Sequence, residues 1–333
     1  MRPTSDTALQ RPDLGMAVYE TLQAAPTMGF IGLEVMPIFR VMENSAEYPV
    51  IPKESLFNLL DTKRGPLGHY NRSEDEFESG FYRTAENGLE RRIDERFAKI
   101  YGTKFSYELT ISNILMNDIL RAQEARIANK LFNSTNFSAH TVTTVWSNIA
   151  SLPKNDVETG KNTLRASGII PNCLILNWTA FQNLKINTAV QAQIYQLFPD
   201  AAKTGQVSVD HLKTYFDVER VLVAGALYNS SKKNQDATLS DLWGSEYAML
   251  CRVAAGDTVD VVEPCVGRTF LWNEGATEEV IVEEYYSEEV RSRILRVRHD
   301  TAEAFLASYD EDGVAKSEIS KACGYLIDTN TAT

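Results

Sequence analysis

Few residues in this chain are of a type and spacing that could do chemistry. His69, His140, His211 and His299 are the side chains suited to proton transfer near neutral pH. They stand far apart, without an H-E-x-x-H or any paired motif, so each reads as structural rather than as a base or a metal ligand. Glu283 and Glu284, followed by Glu288 and Glu289, form a carboxylate cluster able to hold a cation or act as an acid–base pair. The plainer reading, a solvated hairpin end, is preferred. Cys173, Cys251, Cys265 and Cys323 include no C-x-x-C pair and read as four buried, reduced thiols. Lys232 and Lys233, beside Asp236 and Asp241, suit a charged subunit junction or, by default, a solvated loop. Trp146, Trp178, Trp243 and Trp272 are core or interface anchors. No phosphate-binding loop, dinucleotide fingerprint or nucleophile elbow occurs. No catalytic residue, cofactor site or metal site is assigned, and the chain does not read as an enzyme.

The composition bounds what these residues can serve. The chain has 333 residues, 44% hydrophobic and 23% charged, enough for a large core. Its formal net charge of −12 argues against a general grip on nucleic acid, which needs clustered cations. The N-terminus carries no apolar signal core, and no run reaches the ~18 apolar residues of a membrane span. A soluble, intracellular protein with no membrane partner is expected.

The elements are those of an α+β fold. Residues 1 to about 50 are apolar but broken by Pro3, Pro12, Pro26, Pro37 and Pro49, an arm with no core of its own. From about 47 to 84 a polar stretch centred on TKRGPLGHYNR reads as a long hairpin with a glycine-rich tip. ENGLERRIDERFAKIYG reads as a helix, with Leu89, Ile93, Phe97 and Ile100 on one stripe. A second helix runs from Glu108 to Phe132, roughly 35 Å at 1.5 Å per residue. Its stripe of Ile111, Leu115, Ile119, Ile127 and Leu131 is to be buried, with Arg126 facing solvent or a neighbour. HTVTTVWSNIA, PNCLILNW, ERVLVAGALYNSS and EYAMLCRV read as strands, KKNQDATLSDLWGS as a polar loop, and VSVDHLKTYFDV as a helix capped by Ser208. Long strands over Val280–Tyr286 and Val290–Arg298 precede a last strand, ACGYLIDTN. Arg291, Arg293, Arg296 and Arg298 alternate with apolar residues, which assigns them to Glu283 and Glu284 across the hairpin rather than to a DNA groove.

The order of these segments, with IANKLFNSTNF, PNCLILNWTAFQNLKIN, VLVAGALYNSSKK and LSDLWGSEYAMLCRV, resembles the major capsid (head) proteins of tailed bacteriophages. That is the Hong Kong 97-like fold, and the likeness is to lambda-type head proteins from about residue 30 onward. The resemblance implies an N-terminal arm (1–46), an extended loop reaching over a neighbouring subunit (47–84) and a peripheral domain with a spine helix (85–170). An axial domain (171–276), peripheral return strands (277–305) and a C-terminal segment returning to the axial domain (306–333) complete it. Lys63, Arg64, His69, Tyr70, Phe77 and Phe81 become the candidate inter-subunit contacts. The function implied is structural: self-assembly into hexamers and pentamers of an icosahedral head that encloses double-stranded DNA without reading its sequence. The implied partners are other copies of the chain, a separate scaffolding protein, a portal protein and, optionally, a decoration protein. The place implied is the virion capsid, assembled in the host cytoplasm. Covalent crosslinking through Lys63 is not expected, because no Asn and Glu partners are identifiable. The competing readings are an encapsulin-like compartment shell and an intracellular α+β enzyme.

Overall fold

A computed structural model describes residues 9–10, 29–52, 57, 59–60, 62–64, 69–71, 77–101, 106–255, 263–272, 274, 279–289, 292–309 and 315–332. The strands in chain order begin with β1 (Leu9–Gln10), β2 (Ile38–Val41), β3 (Ser45–Val50), β4 (Glu78–Arg83), β5 (Ala85–Ile93) and β6 (Ala139–Val142). They continue with β7 (Cys173–Asn177), β8 (Arg220–Ala224), β9 (Leu227–Asn229), β10 (Leu239–Asp241), β11 (Tyr247–Cys251) and β12 (Arg268–Trp272). Last come β13 (Ile281–Ser287), β14 (Ser292–Ala304), β15 (Ser308–Tyr309), β16 (Ala315–Ser317) and β17 (Gly324–Ala332). The helices are α1 (Gly32–Val35), α2 (Glu95–Tyr101), α3 (Tyr107–Leu131), α4 (Pro153–Ala166) and α5 (Trp178–Ile186). They are followed by α6 (Thr188–Leu197), α7 (Pro199–Thr204), α8 (Val209–Phe216) and α9 (Ile319–Ala322).

Two sheets carry most of the structure. The five-stranded sheet runs β6-β17-β11-β7-β8, with β11 antiparallel to both of its neighbours. β7 is buried along its whole length, and its side chains alternate between two cores. Leu174 and Leu176 join Val157, Leu164, Phe181, Ile194, Leu212 and Phe216 from the covering helices. Cys173 and Ile175 join Met249, Leu326, Trp243 and the end of α3, at Ile127 and Leu131. The six-stranded sheet runs β1-β13-β14-β12-β2, with β5 also on β14. Its inner face, Val282, Leu295 and Val297, packs on Ile111, Leu115, Ile119 and Leu120 of the first half of α3. One 25-residue helix therefore joins two cores, which is why its apolar stripe runs for its full length. A four-stranded sheet, β16-β15-β4-β3, forms the base of the hairpin, and β9 pairs with β10.

The strut helix, the buried strand PNCLILN and the Ser208 cap stand where the sequence reading puts them. Ser208 and His211 form a reciprocal capping box on α8. Other readings need correction. Residues 85–93 are strand, not helix, and only Glu95–Tyr101 is helical. Leu89 and Ile93 are four apart, a spacing that shares one face of a strand as well as of a helix. Nine residues of pairing with β14 decide the matter. The run ERVLVAGALYNSS is two strands, split at Gly225 into different sheets. The polar loop after it holds β10, and of HTVTTVWSNIA only its first three residues, His140 to Val142, lie in a strand, β6. The second return strand continues to Ala304, well past Arg298, while Val290 and Arg291 lie outside the described residues. The arm has no core of its own but does not lack an internal partner: Phe30, Ile31, Val35 and Met36 are buried in the cores of the chain's own body.

Candidate assembly surfaces

The hairpin is anchored at its base. β3 and β4 pair antiparallel from Ser45↔Arg83 to Val50↔Glu78. Inward-pointing Tyr48 and Tyr82 stack on Phe270 of β12, with centroids at 5.9 and 4.5 Å. Gly80 makes room for this stack, since a Cβ there would stand 2.3 Å from the Tyr48 ring. Glu78 pairs with Lys316 at 2.7 Å and also accepts from the Ser308 hydroxyl, tying β4 to β15 and β16. These two bonds hold its carboxyl below the usual range.

All six candidate contact residues, Lys63, Arg64, His69, Tyr70, Phe77 and Phe81, are exposed, Phe81 on the outward face of β4 itself. The structure brings two of them together. The Arg64 guanidinium donates to the Tyr70 hydroxyl at 3.2 Å and lies 4.5 Å from its ring centroid. Tyr70 is 73% exposed, Phe77 66% and Phe81 53%, and Phe57, Leu59 and Leu60 are also exposed. Tyr82, on the same strand as Phe81, is buried in the chain itself. Exposed aromatic and apolar side chains on an anchored hairpin suit contact with a second molecule.

A second exposed apolar group joins Trp178, read from the sequence as a core or interface anchor, to residues that reading does not mark. Ile149, Leu152, Trp178 and Ile186 are all about half exposed on the helix-covered side of the five-stranded sheet. Thr188 donates to the Ile149 carbonyl and Asn187 to the Ser151 carbonyl, which brings the Ile149–Leu152 loop against the α5–α6 junction. The signal available was an apolar residue at each end of α5, off the stripe formed by Phe181 and Leu184.

Charged groups that looked like sites turn out to be internal ties. Glu283 and Glu284 are buried, correcting the solvated hairpin end. Because strand neighbours alternate, the two carboxylates face opposite sides of the sheet. Glu284 pairs with Arg293, which also pairs with Glu108 of α3. Glu283 pairs with Arg296 and Arg298, and Arg296 reaches Glu90 on β5 at 2.6 Å. Arg126 does not face solvent freely. Its guanidinium makes two parallel bonds, 2.9 and 3.0 Å, to buried Glu303. Burial pushes the Glu303 carboxyl up, but the Arg126 bonds outweigh it and hold it below the usual range. Lys232 and Lys233 are exposed, and His299 is buried.

One buried carboxylate ties the arm to the body. Glu124 accepts from the Ile31 and Gly32 backbone N–H groups at 2.9 and 2.7 Å, and from Trp243 Nε1 at 2.6 Å. The two amides are the otherwise unpaired N-terminus of α1. A Cβ on Gly32 would stand 2.5 Å from Glu124 Oε2, so the approach needs glycine. Burial raises the Glu124 carboxyl above its ordinary value despite its three donors. Among the described residues no group of three or more His, Cys, Asp or Glu could hold a metal ion, and no helix is long and apolar enough to cross a membrane.

Comparison with known proteins gives this arrangement a context. No protein-family model matches the chain. A major capsid protein of Burkholderia phage BcepMu is 26% identical over 274 residues, covering 79% of this chain and 85% of that one. A phage-related protein from Bordetella bronchiseptica RB50 superposes with a TM-score of 0.67 at 21% identity, over 97% of this chain and 98% of that one. A virus-like particle protein from Pyrococcus furiosus superposes with a TM-score of 0.55 at 12% identity, over 95% and 98% of the two chains. The chain has the Hong Kong 97-like α+β fold and is a structural phage head-shell protein, a homologue of a phage major capsid protein.

Proposed function

We propose that the chain is the repeating subunit of an icosahedral head, arranged in hexamers and pentamers, and that residues 47–84 are the extended loop linking neighbours. The supporting observation is the hairpin itself, anchored by Tyr48, Tyr82 and Glu78 and carrying exposed Arg64, Tyr70, Phe77 and Phe81. On this reading the five-stranded sheet with its helices is the axial domain. The strut helix with β5, β13 and β14 is the peripheral domain. The exposed Trp178 and Ile186 surface meets further copies around an axis. The head encloses double-stranded DNA by confinement. A net charge of −12 opposes adhesion, and Arg293, Arg296 and Arg298 are committed to carboxylates. A separate scaffolding protein and a portal protein complete the assembly, which takes place in the host cytoplasm.

The test is electron microscopy of the protein, alone and with candidate scaffolding proteins, beside a variant lacking residues 62–70. The full chain is expected to form closed shells. The deletion is expected to melt as the parent does but to form none, because its described residues are exposed. A protein that stays monomeric under every condition would overturn the head assignment. Normal shells from the deletion variant would overturn the loop assignment alone. Protein cargo in place of DNA inside native shells would favour an encapsulin-like compartment.

A further inference from the structure

The four cysteines, at least 14 residues apart in sequence by the numbering of Cys251 and Cys265, are gathered around Cys251 by the fold. Cys251 ends β11 and Cys173 begins β7, and the two are direct cross-strand partners. Both are completely buried, and both side chains enter the core shared by Ile175, Met249 and Leu326, so they lie on one face of the sheet. Cys323 adjoins Gly324, the residue opposite Cys251 on β17, and so takes a diagonal position. All four are free thiols.

We propose that Cys173 and Cys251 are a latent redox pair, which a small peroxide closes into a disulfide between β7 and β11. Directly opposed residues of antiparallel strands have Cα atoms about 4.5–5.5 Å apart. That interval lies within the roughly 4.4–6.8 Å that a disulfide spans, so no strand has to move. The chemistry balances in two steps. One thiol, as thiolate, attacks hydrogen peroxide, giving Cys–SOH and water. The other thiol then displaces that hydroxyl as a second water, forming the S–S bond. Two thiols are oxidised by two electrons and one peroxide is reduced. The neighbour intercepts the sulfenic acid before a second peroxide can.

Burial sets the rate. Thiolate is the reacting species, and this core disfavours it: burial raises the Cys323 thiol to about 12 and the Cys265 thiol to about 11. Cys251 is also pushed up, by the neighbouring Cys173 thiol and by burial. The pair is therefore inert to bulky thiol reagents in the folded chain, and peroxide closes it slowly, faster as pH rises. Once closed, the bond joins two central strands and the 77 residues between them (251 − 173 − 1), a long loop whose closure restricts the unfolded chain.

The experiment treats the full-length protein with hydrogen peroxide, removes the excess, and counts thiols after unfolding in denaturant. Four thiols before treatment are expected to become two, with a mass loss of about 2 Da and a single linked peptide pair containing Cys173 and Cys251. The oxidised protein is expected to melt several degrees higher, reversibly on adding dithiothreitol. Cys265→Ala and Cys323→Ala are expected to leave the linkage intact, and Cys251→Ala to abolish it. Because Cys251→Ala enlarges a packed core, the thiol count and peptide map on unaltered protein carry the test if that variant fails to fold. Four persisting thiols, sulfinic or sulfonic acid in place of the linkage, or a bond to Cys265 or Cys323 would each overturn the proposal. None of these outcomes depends on whether shells form.

Discussion

The five-stranded and six-stranded sheets rest on the same helix, α3, yet opposite materials hold them. The five-stranded sheet is apolar on both faces, and its strands CLILN and YAMLC carry no charge. The six-stranded sheet is apolar where Leu295 and Val297 meet the helix and where Phe270 meets Tyr48 and Tyr82 of the hairpin base, and charged elsewhere. Along β14 that same inner face turns polar, through His299 and Thr301 to Glu303, where it meets Arg126 and Lys130. Its outer face carries the arginine–glutamate ladder. Burial of apolar area is cheap in specificity and strong in energy, while charge pairs are weak where wet and costly to break where dry. The consequences of substitution are therefore expected to rank by burial and not by charge.

The largest effect is expected in the shared apolar seam. Ile119 is 3% exposed among Leu115, Leu295 and Val297. Ile119→Asp places a carboxylate there without a partner, at a cost of several kcal/mol against a total stability of roughly 5–15 kcal/mol. The variant is expected not to fold. A soluble protein with a cooperative melt near the parent's temperature would show that the seam is not closed.

The next effect lies at the polar end of the same face. Arg126→Ala leaves Glu303 buried, with its bidentate partner gone. Breaking a buried pair costs about 3–5 kcal/mol; Arg126 is one-third exposed, so about 2–3 kcal/mol is expected after solvent screening. Adding Glu303→Gln removes the stranded charge and is expected to recover part of the loss. Denaturant melts of the three variants give the coupling directly, and additive losses would break the idea that the pair acts as a unit.

This pair marks where sequence reasoning stops. The stripe of α3 is legible because helical periodicity is a local property, and Ile111 to Leu131 keep it for six turns. The arginine alternation on β14 is legible for the same reason, as is its pairing with Glu283 and Glu284. The partner of Arg126 is not legible, because Glu303 lies 177 residues away and only the fold sets that distance. Residues 85–93 mislead because a four-residue spacing satisfies both periods. Of the candidate surfaces, the hairpin announces itself by apolar residues around Gly65 and Gly68. The Trp178 and Ile186 surface does not, since exposure of an apolar helix end depends on what else covers it. The meeting of four thiols is equally invisible, being a matter of sheet order.

A third expectation concerns acid. His299 is buried beside Arg126, and burial together with that guanidinium pushes its imidazole down to about 4. Its ordinary value is about 6.5. The unfolded chain therefore takes up a proton between pH 6.5 and 4 that the folded chain refuses. The stability tied to His299 is full above about 6.5 and is lost as pH falls towards 4, by about 2–3 kcal/mol if no other group compensates. Glu124, raised by burial, has the opposite sign, contributing most in acid. His299→Leu is expected to flatten the stability profile across this window, and Arg126→Ala to narrow it. A parent and His299→Leu profile of equal slope would refute the assignment.

The smallest effect is expected on the outer face, where the charges are most conspicuous in the sequence. Arg296 meets Glu90 at 2.6 Å and Glu283 at 3.4 Å, and its guanidinium lies 5.2 Å from the Tyr285 ring centroid. Its side chain is about one-third exposed and Glu90 more so, hence water screens both and salt screens them further. Arg296→Ala removes two ion pairs and some cover over Tyr285, yet is expected to cost no more than about 1 kcal/mol at low salt and less in molar salt. The comparison is with Arg126→Ala, which also removes one guanidinium but strands a dry carboxylate, so its loss is expected to survive high salt. Parallel melts of both variants in low and molar salt separate the two cases. A salt-independent loss of 2 kcal/mol or more at Arg296 would mean that the ladder is drier than its exposure implies, and that the outer face is covered in the state the protein adopts in solution.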